Sequence, residues 1–198
     1  MATDAHVISP LFFPGGDIGS LSVHGTINDV AMLGAQPLYL SASFILEEGF
    51  PLALLKQIVE SMAAASRACG VPIVTGDTQV VEKGKGDGVF ISTTGLGVLP
   101  QNRTIGGANA RVGDVILLSG SIGDHGVAVL SQRESLQFET TIHSDSAPLH
   151  TLVAAMLAAA PEGSVRVLRD PTRGGLATTL NEIAQQSEVG MHLQEDAI

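Results

Sequence analysis

The stretch from His24 to Pro37, HGTINDVAMLGAQP, constrains this chain more than any other. It continues a helix that Asp17 is placed to cap, beginning at Ile18 and ending near Gly34. Ile18, Leu21, Val30, Met32 and Leu33 make that helix apolar on most sides, so other elements must cover it and its few polar side chains lie near protein. Asn28 and Asp29 stand side by side in its middle. Residues 1–55 hold Asp4, Asp17, Asp29, Glu47 and Glu48 but no Lys or Arg. Acids in an apolar segment without cations are solvated, protonated or neutralised by a metal ion. The plainer alternative is that Asn28 and Asp29 form an exposed helix stripe.

A chain of 198 residues can bury a sizeable core, and 44% apolar against 15% charged residues excludes a disordered polymer. The net charge of −10 disfavours sequence-independent binding to nucleic acid or anionic membranes. A nucleotide remains compatible with that charge if Mg²⁺ mediates between carboxylates and phosphates. The single cysteine, Cys69, excludes an internal disulfide or a Cys-based metal site and reads as a small core residue or a reactive thiol. No secretory leader pattern is present and no apolar run reaches the ~18 residues of a membrane span, so a cytoplasmic protein is expected.

Along the chain, residues 1–10 read as a short strand and Leu11 to Gly16 as an apolar corner. A strand from Leu38 to Leu46 follows the first helix. Pro51 opens and Gly70 closes a second helix. A strand from Val71 to Thr75 leads into GDT at Gly76 to Thr78 and continues as QVVEK. QVVEK, the turn KGKGDG and a strand from Val89 to Val98 then make a hairpin-like pair. The first hundred residues therefore read as an α+β sheet with helices on one face. Residues 101–113 read as a linker between a domain at 1–100 and a second at 114–198.

The second unit is expected to be α/β, with strands at Asp114 to Ser119 and Val165 to Leu168 and a strand-like MHLQ near its end. Helices are expected at Val127 to Arg133, at Leu149 to Ala160 and through Leu176, Leu180 and Ile183. Taken together these make an incomplete domain. Its glycine-rich turns, SGSIGDHG and TRGG, offer backbone amides to phosphate but match neither a Walker loop nor a dinucleotide fingerprint. Asp124 and His125 read as an acid/base pair or as a cap and a surface imidazole. Arg173 is placed to meet a phosphate or to pair with Asp170 in its own turn. Asp4, Asp29, Asp77 and Asp170 each fall near the edge of an element, where carboxylates suit a Mg²⁺-phosphate site or serve as caps and turns.

In order, TD at Thr3-Asp4, SPLFFPGGDIG, HGTINDVAMLGAQP, FILEEG, VTGDTQVV, the GDHG turn and RDPTRGGL with LNEIA closely resemble the HypE family of hydrogenase maturation factors. That family belongs with aminoimidazole ribonucleotide synthetase, selenophosphate synthetase and thiamine-monophosphate kinase. The resemblance implies an aminoimidazole ribonucleotide synthetase-like fold and an ATP- and Mg²⁺-dependent carbamoyl dehydratase. Such an enzyme phosphorylates the carbamoyl oxygen on its own C-terminal cysteine, and loss of phosphate and a proton leaves a thiocyanate. The cyanide is destined for the iron of a nickel-iron hydrogenase precursor.

By the same resemblance Asp4, Asp29 and Asp170 are Mg²⁺ ligands, and Thr3, Asn28, Gly76, Asp77, Thr78 and Arg173 contact ATP. Glu182 handles a proton on the carbamoyl group, with Asp77 a second catalytic candidate. A homodimer built by pairing N-terminal sheets is implied, with the carbamoyltransferase and the iron-carrying scaffold complex as partners. Three departures stand out: a glycine-rich segment expected before Thr3, a C-terminal remainder carrying the substrate cysteine, and Gln79 where a lysine is expected. Cys69 does not inherit the substrate role, and a piece this short is expected to be inactive alone. The readings that compete are a small-metabolite kinase or synthetase of the superfamily and a non-catalytic dimerisation scaffold.

Overall fold

The computed structural model describes residues 1–101, 104–133 and 142–198; Asn102 and Arg103 of the expected linker lie outside the described residues. Helix α1 (Ile18–Met32) starts where the Asp17 carboxylate accepts the amides of Gly19 and Ser20, while the Ser20 hydroxyl closes the capping box. Its second carboxylate oxygen accepts from Ser61 on α2 (Leu52–Cys69), so one acid both starts α1 and ties it to α2. Gly70 ends α2 in the left-handed conformation, as its place after the last apolar residue requires.

Both helices cover one face of a four-stranded sheet whose order is β1 (Ala2–His6), β6 (Val89–Val98), β4 (Gln36–Glu47), β5 (Ile73–Val81). Ile18, Val23 and Ile27 of α1 and Ile58 and Met62 of α2 meet Leu40, Ala42, Leu46, Val89 and Ile91 in a single core. Gly95 lets α1 approach closely: a Cβ there would lie 2.8 Å from Val30 and 3.0 Å from Thr26. The opposite sheet face leaves Tyr39, Ile45, Leu96 and Val98 in the open. A small hairpin, β2 (Phe12–Phe13) with β3 (Gly16–Asp17), turns the chain into α1.

The expected continuation through GDT holds, since Gly76 to Thr78 lie within the unbroken strand β5, but the hairpin-like pair is corrected: β5 does not pair with β6. A strand, helix and strand in succession form a parallel crossover, so β5 lies along β4, and β6 runs antiparallel on the other edge of β4. The KGKGDG loop crosses the end of β4, where the Glu47 carboxylate accepts the amides of Gly84 and Gly88 at 2.6 and 3.1 Å.

The second half contains α3 (Asp124–Arg133), α4 (His150–Ala159) and α5 (Gly175–Ser187), close to the expected helices. The strands expected at Asp114 to Ser119, Val165 to Leu168 and MHLQ do not form among the described residues. Val115 and Leu117 are exposed there, because strand-forming composition without a neighbouring edge has nothing to pair with.

Candidate functional site

The covered face of the sheet meets the second half around three acids. Asp4 pairs in register with Thr93, so Asp4 and His6 point to the side of β1 that α1 covers. Asp29 follows Asn28 on α1, and Asp170 lies in the turn before α5. Burial lifts the Asp29 carboxyl to about 6, with Asp170 and then Asp4 adding repulsion against the pull of Arg169 and Arg173. Asp170 is raised as well, chiefly by burial and also by Asp4, against its own backbone amide and Arg169. Asp4 and Asp170 therefore lie close enough to act on Asp29, and Asp4 close enough to act on Asp170.

A cleft of about 190 Å³ opens there, lined among others by Asp29, Leu33, Gly106, Arg169, Asp170 and Glu182. Arg169 faces Glu182 at 3.5 Å, and Arg173 reaches to 3.9 Å from Asp4. The cleft thus places the Arg169 guanidinium beside the carboxylates of Asp29, Asp170 and Glu182, with the Asp4–Arg173 pair outside its lining, polar chemistry suited to a phosphate chain carrying a divalent cation. Sequence reading passed over Arg169, although it stands immediately before Asp170 in RDPTRGG.

His6 is buried, with Nε2 3.7 Å from Asp4 and 3.2 Å from the Thr93 hydroxyl. Burial lowers its pKa, Asp4 opposes that and Arg173 adds to it, so the imidazole is neutral at neutral pH. Thr93 donates to the Ser22 carbonyl, which leaves its oxygen to accept from Thr26 at 2.6 Å and from the His6 ring.

Other expected site residues lie elsewhere. Thr3 alternates to the open face of β1, where it meets the Thr94 hydroxyl at 2.9 Å. Asn28 is buried, so the exposed-stripe alternative fails for it, and both ends of its amide bind backbone at Ala147 and Leu149. Gly76, Asp77 and Thr78 sit on β5, at the sheet edge opposite β1, so one chain does not bring them to the cleft. A Cβ on Gly76 would lie 2.1 Å from the Ala42 carbonyl oxygen, which is reason enough for glycine there. Gln79 donates to Asp77, and this bond, with the Thr78 amide, lowers the Asp77 pKa on the open surface.

Asp124 and His125 do not form an acid/base pair. Asp124 accepts from Ser121 in the first turn of α3. The His125 ring meets the Ser144 hydroxyl at 2.9 Å and stands edge-on to Phe13 at 5.2 Å. Cys69 is buried, as a small core residue would be, and burial raises its thiol pKa. No group of three His, Cys, Asp or Glu side chains among the described residues is close enough to hold a metal ion by itself. None of the described helices is long and apolar enough to cross a membrane.

Residues 1–99 match the family model of the AIR synthase related protein N-terminal domain, and residues 111–198 match that of the C-terminal domain. The carbamoyl dehydratase HypE of Cupriavidus necator is 77% identical over 198 residues, and the chain spans 56% of that protein's length. A crystal structure of the hydrogenase maturation protein HypE in complex with ATP superposes with a TM-score of 0.91 at 56% identity, covering 94% of this chain and 55% of that one. A HypE–HypF complex gives the same TM-score at 55% identity, covering 94% of this chain and 61% of the matched one. The chain therefore belongs to the AIR synthase related family and groups with its HypE members along its whole length.

Proposed function

We propose that this chain forms the nucleotide-binding part of a HypE-type carbamoyl dehydratase. The observation that carries the reading is the meeting of Asp29 and Asp170 with Arg169 and Glu182 in one cleft, with Asp4 and its partner Arg173 near enough to act on those acids. The γ-phosphoryl group of ATP passes to the oxygen of a thiocarbamate, R–S–CO–NH₂, at a cysteine supplied from outside these residues. Phosphate then leaves with the C–O bond electrons, two protons depart from nitrogen, and R–S–C≡N remains. Glu182, held by Arg169, is the group assigned to take a proton from that nitrogen.

Mg²⁺ fits the cleft even without a cage of three ligands, since it commonly binds one or two carboxylates and fills its other positions with water and phosphate. The repulsion that Asp170 and Asp4 exert on Asp29, and Asp4 on Asp170, is what a divalent cation would relieve. When bound, Mg²⁺ supplies charge to stabilise the transferring phosphoryl group. Arg169 and Arg173 orient the phosphates, and Asp4, Asp29 and Asp170 orient the metal.

The open sheet face with Tyr39, Ile45, Leu96 and Val98 is assigned to a homodimer contact. Thr3, on the same face, and Gly76, Asp77 and Thr78, on the far edge strand, take part in a site only if such a partner brings them to it. Carbamoyl delivery falls to a HypF-type carbamoyltransferase and cyanide acceptance to an iron-carrying scaffold, both in the cytoplasm.

The test is calorimetric titration with MgATP of the wild-type chain and of Asp4→Asn and Asp29→Asn. Mg²⁺-dependent binding lost in either variant supports the reading. Binding unchanged in both variants rejects the metal assignment.

A further inference from the structure

We infer that Asn28 is a positioning residue that clasps the 143–150 strap of the second half onto α1 and so sets the width of the cleft beside it. The inference deepens the nucleotide-site reading and rests on it. It removes Asn28 from the residues that touch ATP.

The carboxamide of Asn28 is spent on backbone. Its Nδ2 donates to the Ala147 carbonyl at 2.9 Å, and its Oδ1 accepts the Leu149 amide at 2.7 Å. A donor and an acceptor on one short side chain match a carbonyl and an amide two residues apart. A carboxylate offers only the acceptor and an aliphatic side chain neither. Asn28 is 8% exposed, so losing the pair leaves shielded polar groups on both sides. Leu149 precedes α4 and no side chain of that helix caps it, so Asn28 also satisfies an amide at the α4 start.

Elsewhere the strap is held at points that α1 does not supply. The Ser144 amide donates to the Pro14 carbonyl, Asp145 accepts the His125 amide, and His150 Nε2 donates to the Cys69 carbonyl. Among the described residues Asn28 is the one α1 side chain that hydrogen-bonds the strap. The next residue on α1 is Asp29, whose opposite number, Asp170, belongs to the second half. The strap is thus fixed to α1 one residue from Asp29, which lines the cleft, so releasing it frees the part of α1 from which Asp29 faces Asp170, and displacements near 1 Å suffice to cost about 100-fold in a site's function.

The experiment pairs hydrogen exchange read by mass spectrometry with MgATP calorimetry on wild type, Asn28→Ala and Asn28→Asp. Asn28→Ala is expected to speed exchange across the strap while β4 and β6 keep their protection, and to weaken MgATP binding about tenfold or more. Asn28→Asp, which keeps the acceptor for Leu149 but repels the Ala147 carbonyl, is expected to fall between and carries the test if the alanine variant does not fold. A released strap with unchanged affinity overturns the inference, as does lost affinity with a protected strap, which would mark a direct nucleotide contact. Wild type that fails to bind MgATP rejects the nucleotide-site reading and removes the cleft role, while strap exchange still decides whether Asn28 is the clasp.

Discussion

Asp29 on α1 and Asp170 ahead of α5 oppose each other across the cleft, and their repulsion, added to burial, lifts the Asp29 carboxyl to about 6. The folded chain holds this arrangement at a cost, and several measurable consequences come from it.

Replacing Asp29 by Asn removes the charge and keeps the shape. The folded carboxyl titrates near 6 and the unfolded one near 3.8. Above the higher value the folded state carries a penalised carboxylate; as pH falls between the two, the folded state takes up a proton first and the penalty fades. Asn28 aside, Asp29→Asn should therefore stabilise the metal-free chain at pH 7 to 8 by on the order of 1 kcal/mol, discounted for partial exposure. Urea melts of the two chains should converge by about pH 4.

Nucleotide binding should show the opposite dependence. A Mg²⁺ ion that needs the Asp29 carboxylate competes with a proton for it. MgATP affinity, followed by calorimetry, should be level above about pH 7 and fall about tenfold per pH unit well below 6. A level profile down to pH 5 would remove Asp29 from the metal site.

Arg169 is the cation that both Asp29 and Asp170 feel. Arg169→Ala should move the Asp29 carboxyl further up, read from its carbon resonance by NMR, and should weaken ATP binding. An unmoved titration would place the guanidinium away from the acids.

Thr93 joins His6, Thr26 and the Ser22 carbonyl through one hydroxyl. Thr93→Val keeps the packing and strands those partners, at a cost of about 2 to 3 kcal/mol in urea unfolding. Thr3→Val, on the open face of the neighbouring strand, should change stability by less than about 0.5 kcal/mol.

The helices were legible because each carries its own punctuation: Asp17 and Gly70 bound α1 at its start and α2 at its end, and neither depends on distant residues. Strand partners were not legible in the same way. Alternation identified β6 to the residue, but nothing in its pattern says whether it pairs with β5 or β4. Asp4, Asp29 and Asp170 were found through family resemblance, since composition and spacing cannot show that residues so far apart in sequence converge. Asn28 was placed with them for the same reason, yet its amide is committed to Ala147 and Leu149 in a stretch whose irregular pattern gave no sign of a partner. Val115 and Leu117 show the reverse failure: strand-like composition with no strand formed among the described residues.

The pairing of β1 with β6 has a consequence for biosynthesis. Ala2 lies opposite Gly95 and His6 opposite Ile91, so β1 waits for β6, the last strand of its sheet to be made. At about 5–20 residues per second, translation leaves β1 and the apolar sides of α1 without their sheet for seconds. Contacts between such distant segments also make folding slow. The nascent chain therefore presents the apolar sides of α1 before their cover exists, and chaperone demand should concentrate on the interval between synthesis of α1 and of β6 rather than on the helices that follow.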